Sequence, residues 1–326
     1  MMVQKRTRSS NIELLRIVAM ILIMFGHSHL RIHHASTFID VLLSCITTTG
    51  VGIFIAISGW FGIHFRLQGL AKYLYQVFFM LWMVYALAIA FGVAKINMDG
   101  IMISLSFYEG YWFVIGYLGL YLISPILNSF IEHATKREYQ VLLLSYFLFQ
   151  CYYSWLSAWY DYYNGYSIAL FGGIYLTAAY VRKYPVQWIQ KNAVMLLVGV
   201  LFFMSVIAYF SLLNFGHGAR QIRDDNPLVI LISILMVLCF SKLKFQSKII
   251  NWLAVSCFAV YLIHYGPFVY PYFMQLMRDV YAQFDGLIYG FTLLFALVMV
   301  YVLCTLFDQL RIVSWALLQK IVGNNK

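Results

Sequence analysis

The first apolar segment of the chain reads Asn11-Ile-Glu-Leu-Leu-Arg-Ile-Val-Ala-Met-Ile-Leu-Ile-Met-Phe-Gly-His-Ser-His-Leu-Arg31. About 20 apolar residues are enough for a helix to cross a bilayer, so this segment is predicted to span a membrane. It also carries four ionisable side chains, those of Glu13, Arg16, His27 and His29. Lipid rejects such groups, which predicts that they face the protein interior.

The spacing of Arg16 and His27 places both on one face of the predicted helix. Eleven positions at roughly 100° per residue make three turns plus about 20°, and the two residues lie roughly 16 Å apart along the axis. His29 lies about 200° around the helix from His27 and is expected outside the same groove. Two readings stay open: a catalytic pair, or an arginine that pairs with Glu13 for helix packing and an interior histidine.

Three further apolar stretches of the sequence also contain polar and aromatic residues. They are Phe54-Ile-Ala-Ile-Ser-Gly-Trp-Phe61, Tyr111-Trp-Phe-Val-Ile-Gly-Tyr-Leu-Gly-Leu-Tyr-Leu-Ile-Ser-Pro125 and Ser256-Cys-Phe-Ala-Val-Tyr-Leu-Ile-His264. Together with the first-helix Arg and His, in this order, they resemble the membrane acyltransferase-3 family. Members of that family are polytopic O-acyltransferases that modify cell-surface polysaccharides.

Composition independently indicates an integral membrane protein. Hydrophobic residues make up 63% of the 326 residues, charged residues only 10%, and the mean hydropathy is +0.80. Such values lie outside the soluble globular range. We predict an all-α, polytopic single domain over residues 1–326, with about ten transmembrane helices, no separate soluble domain and no cleavable signal peptide.

The predicted spans follow the apolar runs of the sequence. They cover about Asn11–Ile32, Phe38–Ile63, Leu70–Ala94, Tyr111–Ile131, Tyr139–Ala158, Tyr166–Val181, Ala193–Leu213, Leu228–Phe240, Trp252–Met277 and Leu287–Leu310. Residues 1–10 are predicted to be a cytoplasmic flank and residues 311–326 a cytoplasmic tail. The protein is thus expected in the cell (inner or plasma) membrane, with both termini in the cytoplasm.

The basic charge is explained by topology. With ten spans, sixteen of the 22 Lys and Arg residues fall on the cytoplasmic side and five outside, while Arg16 stays within the membrane. This distribution follows the positive-inside rule and argues against a nucleic-acid partner, which needs a basic face on a soluble surface. The five cysteines lie in apolar segments without a CxxC pair and are predicted to be core residues.

Local sequence features predict breaks and short helices. The run Thr47-Thr-Thr-Gly-Val-Gly52 indicates close packing or a local break, and Ser58-Gly59 a bend or tight contact. Residues 95–110 are expected to form a short interfacial helix. Pro267 and Pro271 should break the ninth span just after His264.

Two segments outside the spans have open interpretations. The aromatic run Tyr152–Tyr163 fits an interfacial belt, or alternatively a stacking platform for sugar rings. The polar loop Asn214–Pro227 fits an ordinary solvated loop, or alternatively a lid or acceptor contact.

The family resemblance implies a chemistry for the first helix. An acyl-CoA, in the first place acetyl-CoA, would be the co-substrate, with no permanently bound cofactor, and a glycan or lipid-linked sugar would be the acceptor. Imidazole titrates near neutral pH, so His27 suits a base that takes the hydroxyl proton, or an acyl-histidine intermediate. A guanidinium stays charged and grips phosphate, so Arg16 suits donor binding or orientation.

Other candidates depart from the family pattern or carry less information. Relatives often have Arg-x-x-Arg after the second span, whereas here the position three after Arg66 is Gly69 and the next base is Lys72. Arg66 and Lys72 are therefore predicted as donor ligands or, alternatively, as positive-inside topology residues. Four further residues are candidate acceptor contacts, namely Glu109, Trp112, Tyr121 and His264. His264 is alternatively a core residue or a hydrogen-bond partner of a residue that contacts substrate. Within each predicted span, no pair of His, Asp or Glu residues has the spacing needed to bind one metal ion.

Two other functions fit a polytopic membrane protein. A transporter of glycan or lipid-linked sugar, with Arg16 and His27 along the path, would move substrate without consuming acyl-CoA. A sensor or an assembly subunit would have no turnover, so substitution of Arg16 or His27 would change no flux of substrate.

Overall fold

The computed structural model describes residues 8–32, 37–106, 108–152, 167–215 and 222–324. Those ranges contain helices and connecting turns and no strand, which confirms the all-α class. The helices are α1 (Ser10–Ile32), α2 (Phe38–Thr47), α3 (Thr49–Phe61), α4 (Leu67–Ala90), α5 (Met98–Ser104), α6 (Trp112–His133), α7 (Lys136–Cys151), α8 (Ile168–Lys183), α9 (Gln187–Lys191), α10 (Ala193–Phe215), α11 (Pro227–Ser241), α12 (Lys248–Ala254), α13 (Cys257–His264), α14 (Tyr270–Gln283) and α15 (Gly286–Asn324). A single 3-10 turn, Glu109–Tyr111, precedes α6.

Six helical segments of the described chain are long and apolar enough to cross a membrane. They are Ser10–Leu30, Phe38–Phe61, Leu67–Ala90, Trp112–His133, Ala193–Asn214 and Gly286–Ile321. The predicted count of about ten is therefore not confirmed. The predicted fifth span begins as α7, and its last residues, 153–158, lie outside the described part of the chain. The predicted sixth and eighth spans form α8 and α11, which have 16 and 15 residues. Such helices are roughly 24 Å long, short of the roughly 30 Å hydrocarbon layer.

The predicted ninth span is interrupted where its prolines indicated. It consists of α12, α13 and α14, and α13 ends at His264. Pro267 lies in the connection and Pro271 in the first turn of α14, where a missing N–H costs no helical hydrogen bond. The break thus places His264 at a helix end, next to irregular backbone.

The last helix is longer than the sequence pattern predicted. We expected the tenth span to end at Leu310 and a tail to follow, but α15 continues to Asn324 and has 39 residues. At about 1.5 Å per residue it is roughly 58 Å long, about twice the hydrocarbon thickness. The helix therefore continues through the charged residues that follow Leu310.

A local break separates α2 from α3, as the threonine-rich run predicted. The hydroxyls of Thr47, Thr48 and Thr49 each bond to carbonyls of the preceding turn. Such back-bonding competes with the helical ladder and bends helices. Thr48 keeps helical dihedral angles, so the two halves continue in one direction.

One compact unit comprises Met1–Ile23, His34–Gly62 and Leu127–Val255. In it α3 packs against α8 and α11, and α10 packs against α11 and α2. One contact between α3 and α8 requires a glycine: a Cβ at Gly59 would lie 2.2 Å from the carbonyl oxygen of Tyr175. This explains the Ser58-Gly59 pair as a tight helix contact.

A second compact unit comprises Met24–His33, Ile63–Ile126 and Ser256–Lys326. In it α13 packs against α4, α14 and α15, and α15 also contacts α4 and α14. The predicted helix in residues 95–110 exists as α5, which begins with Asn97 as its N-cap. The centre of this unit is apolar and aromatic, with Tyr111, Tyr301 and Leu262 fully or almost fully buried.

Candidate active site

His27 lies near the end of α1 and is held from three sides within the second unit. Its imidazole stacks on the ring of Tyr265, with centroids 4.0 Å apart. The Tyr270 hydroxyl donates to the His27 backbone carbonyl at 2.9 Å. Nδ1 of His27 lies 3.1 Å from Nε2 of His264. The ring is half-buried, so its orientation is fixed by protein contacts while part of it stays accessible.

His264 is the last residue of α13 and is completely buried. Its Nδ1 lies 2.7 Å from the carbonyl oxygen of Val260, one helical turn earlier. Phe273 packs edge-on against the other side of the imidazole. The ring is therefore held by a backbone acceptor, an aromatic ring and His27.

These contacts determine the tautomers of two neutral imidazoles. A carbonyl oxygen only accepts, so Nδ1 of His264 carries the proton that it donates to Val260. Nε2 of His264 then accepts, and the donor to it is the Nδ1–H of His27. The basic lone pair of His27 is thereby placed on Nε2, the form a general base needs.

Two buried tyrosines tie the end of α13 to the start of α6. The Tyr111 hydroxyl donates to the Leu262 carbonyl at 3.2 Å, and the Tyr261 hydroxyl donates to the Gly110 carbonyl. These bonds brace the turn that carries His264. Sequence reasoning missed the supporting roles of Tyr265 and Tyr270; the only signal was that both closely follow the histidine of the late Tyr-Leu-x-His stretch.

His29 takes part in a different cluster, as its position on the helix predicted. Its Nδ1 lies 2.6 Å from the hydroxyl of Tyr289 on α15, and its ring tilts against Phe25. The side chain is buried. His27 and His29 thus face different neighbours of the second unit.

Arg16 belongs to the first unit and pairs with Glu13. Its Nη1 lies 3.1 Å from Oε1 and 3.2 Å from Oε2 of that carboxylate. Arg8 also approaches Glu13, at 3.9 Å. The packing pair considered from the sequence therefore exists, but one carboxylate faces two guanidinium groups and the cluster keeps a net positive charge. Arg16 itself remains about one-third exposed.

The turn before α4 holds Arg66 through its backbone. The Tyr121 hydroxyl accepts from the Arg66 N–H and donates to the Arg66 carbonyl, each at 3.0 Å. A Cβ at Gly69 would lie 2.4 Å from that hydroxyl. The absence of a second arginine at position 69 therefore has a steric reason. The side chains of Arg66 and Lys72 are exposed.

The remaining candidates have less defined surroundings. Trp112 begins α6, is half-buried and lies edge-on to Phe113. Glu109 lies in the 3-10 turn before it, and its side chain lies outside the described part of the structure, as does nearly all of the aromatic run Tyr152–Tyr163. Tyr121, predicted as an acceptor contact, is engaged with the backbone of Arg66.

A buried ion pair on α15 was not anticipated. Asp308 and Arg311 form two hydrogen bonds, of 2.6 and 2.7 Å, and both side chains are almost completely buried. The sequence signal was an acid and a base three positions apart in an apolar run. Arg311, predicted as the first residue of the cytoplasmic tail, is buried and paired in the structure.

Only the end of the loop between α10 and α11 is described, from residue 222. Arg223 and Asp225 form a bidentate pair, and Gln150 donates to the Asp225 carbonyl at 3.0 Å. Burial and the nearby Asp225 raise the pKa of Asp224 from 3.8 to about 7, against the opposing effect of Arg223. These ordered contacts fit a structured loop end.

Fold and site together define a class: a multi-pass, all-helical membrane protein with a hydrogen-bonded histidine pair suited to proton transfer. Residues 9–308 match the acyltransferase-3 family model, described as an acyltransferase domain. The match covers most of the chain, which therefore belongs to this family of membrane acyltransferases. Comparison with curated proteins and with solved structures found no match.

Proposed function

We propose that the protein is an O-acyltransferase that moves an acetyl group from acetyl-CoA to a hydroxyl of a cell-surface polysaccharide or its lipid-linked precursor. The proposal rests on two linked hydrogen bonds: the Val260 carbonyl fixes the tautomer of His264, and His264 in turn fixes the tautomer of His27. Family membership supplies the reaction class.

In the proposed reaction His27 is the general base. Its Nε2 takes the proton of the acceptor hydroxyl as the hydroxyl oxygen attacks the thioester carbonyl carbon. The carbon–sulfur bond then breaks, and the protonated imidazole returns its proton to the leaving CoA thiolate. His264 accepts the Nδ1–H of His27 throughout and stabilises the imidazolium, so it acts as a positioning residue.

Arg16 is proposed to bind the anionic donor. A guanidinium grips phosphate in a fork and stays charged at any relevant pH. The excess positive charge of the cluster of Arg8, Glu13 and Arg16 supports this role. The exposed Arg66 and Lys72 are proposed as further phosphate contacts, and Trp112 as an acceptor contact. Glu109 is also proposed as an acceptor contact, on the basis of the sequence alone.

The proposed setting is a cell membrane with both termini in the cytoplasm. The donor then comes from the cytoplasmic side, where acyl-CoA is made, and the acceptor reaches His27 from the other side.

Sealed vesicles of known orientation test the proposal. Acetyl-labelled acetyl-CoA is supplied on one side and a glycan acceptor on the other, and labelled glycan and free CoA are measured together. The proposal predicts one CoA released per acetyl group transferred, with donor required on the cytoplasmic side. Movement of glycan without release of CoA would instead identify a transporter.

A further inference from the structure

The second unit contains a cavity of about 260 Å³ that is almost entirely apolar. Its walls come from the end of α4, the connection between α13 and α14, and α15. Its lining includes Val84, Ala88, Phe91, Val93, Phe268 and Val269. At about 30 Å³ for a group of the size of water, the cavity has room for roughly eight methylene groups. We call it the α4 groove.

The α4 groove and the histidine pair share one connection of the chain. Residues 264–270 place Tyr265 on His27, while Phe268 and Val269 line the groove. Ile263, the neighbour of His264, also lines it. A molecule that occupies the groove is therefore held against the connection that positions the proposed base.

Two residues that line the groove are exposed at the surface. Phe91 and Val93 line it and are 79% and 44% exposed. Two positions after Val93 lies Lys95, whose side chain is exposed and whose carbonyl accepts from the Tyr85 hydroxyl at 3.0 Å. The Tyr85 ring in turn stacks on Phe268. The backbone of Lys95 is thus held through Tyr85 to Phe268, a residue that lines the groove.

Exposed apolar residues continue after Lys95, which is typical of a segment that contacts lipid. Ile96 and Met98 are 79% and 70% exposed. The nearest acidic residue to Lys95 in the sequence is Asp99, four positions later in the first turn of α5. An apolar groove with an exposed lysine tied by its backbone to one of the lining residues complements a hydrocarbon chain that ends in a phosphate.

We propose that the α4 groove binds the hydrocarbon chain of a lipid-linked sugar phosphate, with Lys95 at its phosphate. This inference rests on the proposed function and narrows it, because it makes the lipid-linked precursor the acceptor. Holding the chain in the groove keeps the sugar hydroxyl close to the proposed base and raises its effective concentration there.

Two substitutions on one helix form the matched test. Ala88→Leu fills the groove, because Ala88 is buried and lines it. Ala86→Leu adds the same atoms two positions away at an exposed site. Each variant is assayed with labelled acetyl-CoA and two acceptors that carry the same sugar, one linked to a polyprenyl phosphate and one to a short water-soluble group.

We expect Ala88→Leu to raise the KM for the lipid-linked acceptor about tenfold and to leave the soluble acceptor unaffected, while Ala86→Leu resembles the wild type. Lys95→Gln should raise the same KM, and Lys95→Arg should restore it. Equal loss with both acceptors, or no loss with either, would overturn the proposal. A changed preference for acyl-CoA chain length alone would assign the groove to the donor and also overturn it.

A binding measurement separates failure of the groove from failure of the enzymatic function. A polyprenyl phosphate with a photoreactive chain is crosslinked to the full-length protein in vesicles. We expect labelling of α4 that Ala88→Leu abolishes and that excess polyprenyl phosphate, but not excess phosphatidic acid, displaces. Crosslinking without any acyl transfer would refute the proposed function alone. Transfer to both acceptors without this crosslinking would refute the groove alone.

Discussion

His27 and His264 are 237 positions apart in the sequence, yet Nδ1 of the first lies 3.1 Å from Nε2 of the second. The bond matters because His264 is itself fixed by the Val260 carbonyl. A backbone acceptor thereby determines the tautomer of a residue on another helix. This is the usual logic of an oriented base, with a histidine in the place where many enzymes have a carboxylate.

Removing His264 should impair chemistry more than donor binding. We expect His264→Ala to lower kcat about 10- to 100-fold, a range typical of residues that orient a functional histidine, with little change in the KM for acetyl-CoA. His264→Gln keeps one donor and one acceptor and should recover part of kcat. Steady-state kinetics with both variants check this.

The pH profile of kcat distinguishes positioning from a merely structural role. In His264→Ala the acidic limb should move, because the proton on His27 is no longer held by Nε2 of His264. Equal loss of kcat in the Ala and Gln variants, with an unchanged pH profile, would show that His264 only fills space.

Gly59 should not tolerate a side chain. A Cβ there would lie 2.2 Å from the carbonyl oxygen and 2.7 Å from the Cα of Tyr175, and backbone atoms cannot move aside as a flexible side chain can. We expect Gly59→Ala to destabilise the protein by about 1–3 kcal/mol. Gly172→Ala, on α8, meets no atom within 4 Å and should be neutral or stabilising. Thermal unfolding in detergent measures both, and equal melting temperatures would contradict the packing described.

Gly69 and Tyr121 should be energetically coupled. Gly69→Ala places a methyl group 2.4 Å from the Tyr121 hydroxyl, whereas the next atom of that ring is 3.4 Å away. We therefore expect Gly69→Ala to destabilise the wild-type protein but to have almost no further effect when it is introduced into Tyr121→Phe. A double-mutant cycle on unfolding should give a coupling of about 1 kcal/mol. Simple additivity would argue against the contact.

Asp224 should make stability depend on pH. Its pKa rises to about 7 in the folded protein from 3.8, so the folded state binds more protons between these values. Stability is then fully present below about pH 4 and is lost as the pH rises through 7. Asp224→Asn should remove this contribution.

The melting temperatures of the wild type and Asp224→Asn are compared from pH 5 to 8. We expect their difference to grow in favour of the variant as the pH rises. Asp99→Asn, at an exposed carboxylate, is the control and should stay parallel to the wild type. A constant difference for Asp224→Asn would contradict the shifted pKa.

Periodicity and proline chemistry predicted the local fold well. The break after His264, the break in the threonine run and the short helix in residues 95–110 all follow from side chains near them in sequence. The number of spans did not follow as well, because an apolar run of 15 or 16 residues looks the same whether it crosses the bilayer or packs as a short helix. Length alone does not decide between these outcomes.

The first histidine of the candidate site was predictable and its partner's role was not. His27 stands out as an ionisable group in an apolar helix. The bond to His264 depends on how α1 and α13 pack, which no local pattern encodes. For the same reason the burial of Arg311 was missed, since a base after an apolar run is usually a topology signal.

The most direct test of the central claim is transfer of labelled acetyl groups from acetyl-CoA to cell-surface glycan by membranes that contain wild type or His27→Ala at matched protein levels. His133→Ala, at an exposed histidine, is the control. We predict that His27→Ala lowers transfer by about 10²- to 10⁴-fold at saturating acetyl-CoA, while the control keeps wild-type activity. Undiminished transfer by well-folded His27→Ala would contradict the assignment of His27 as the base.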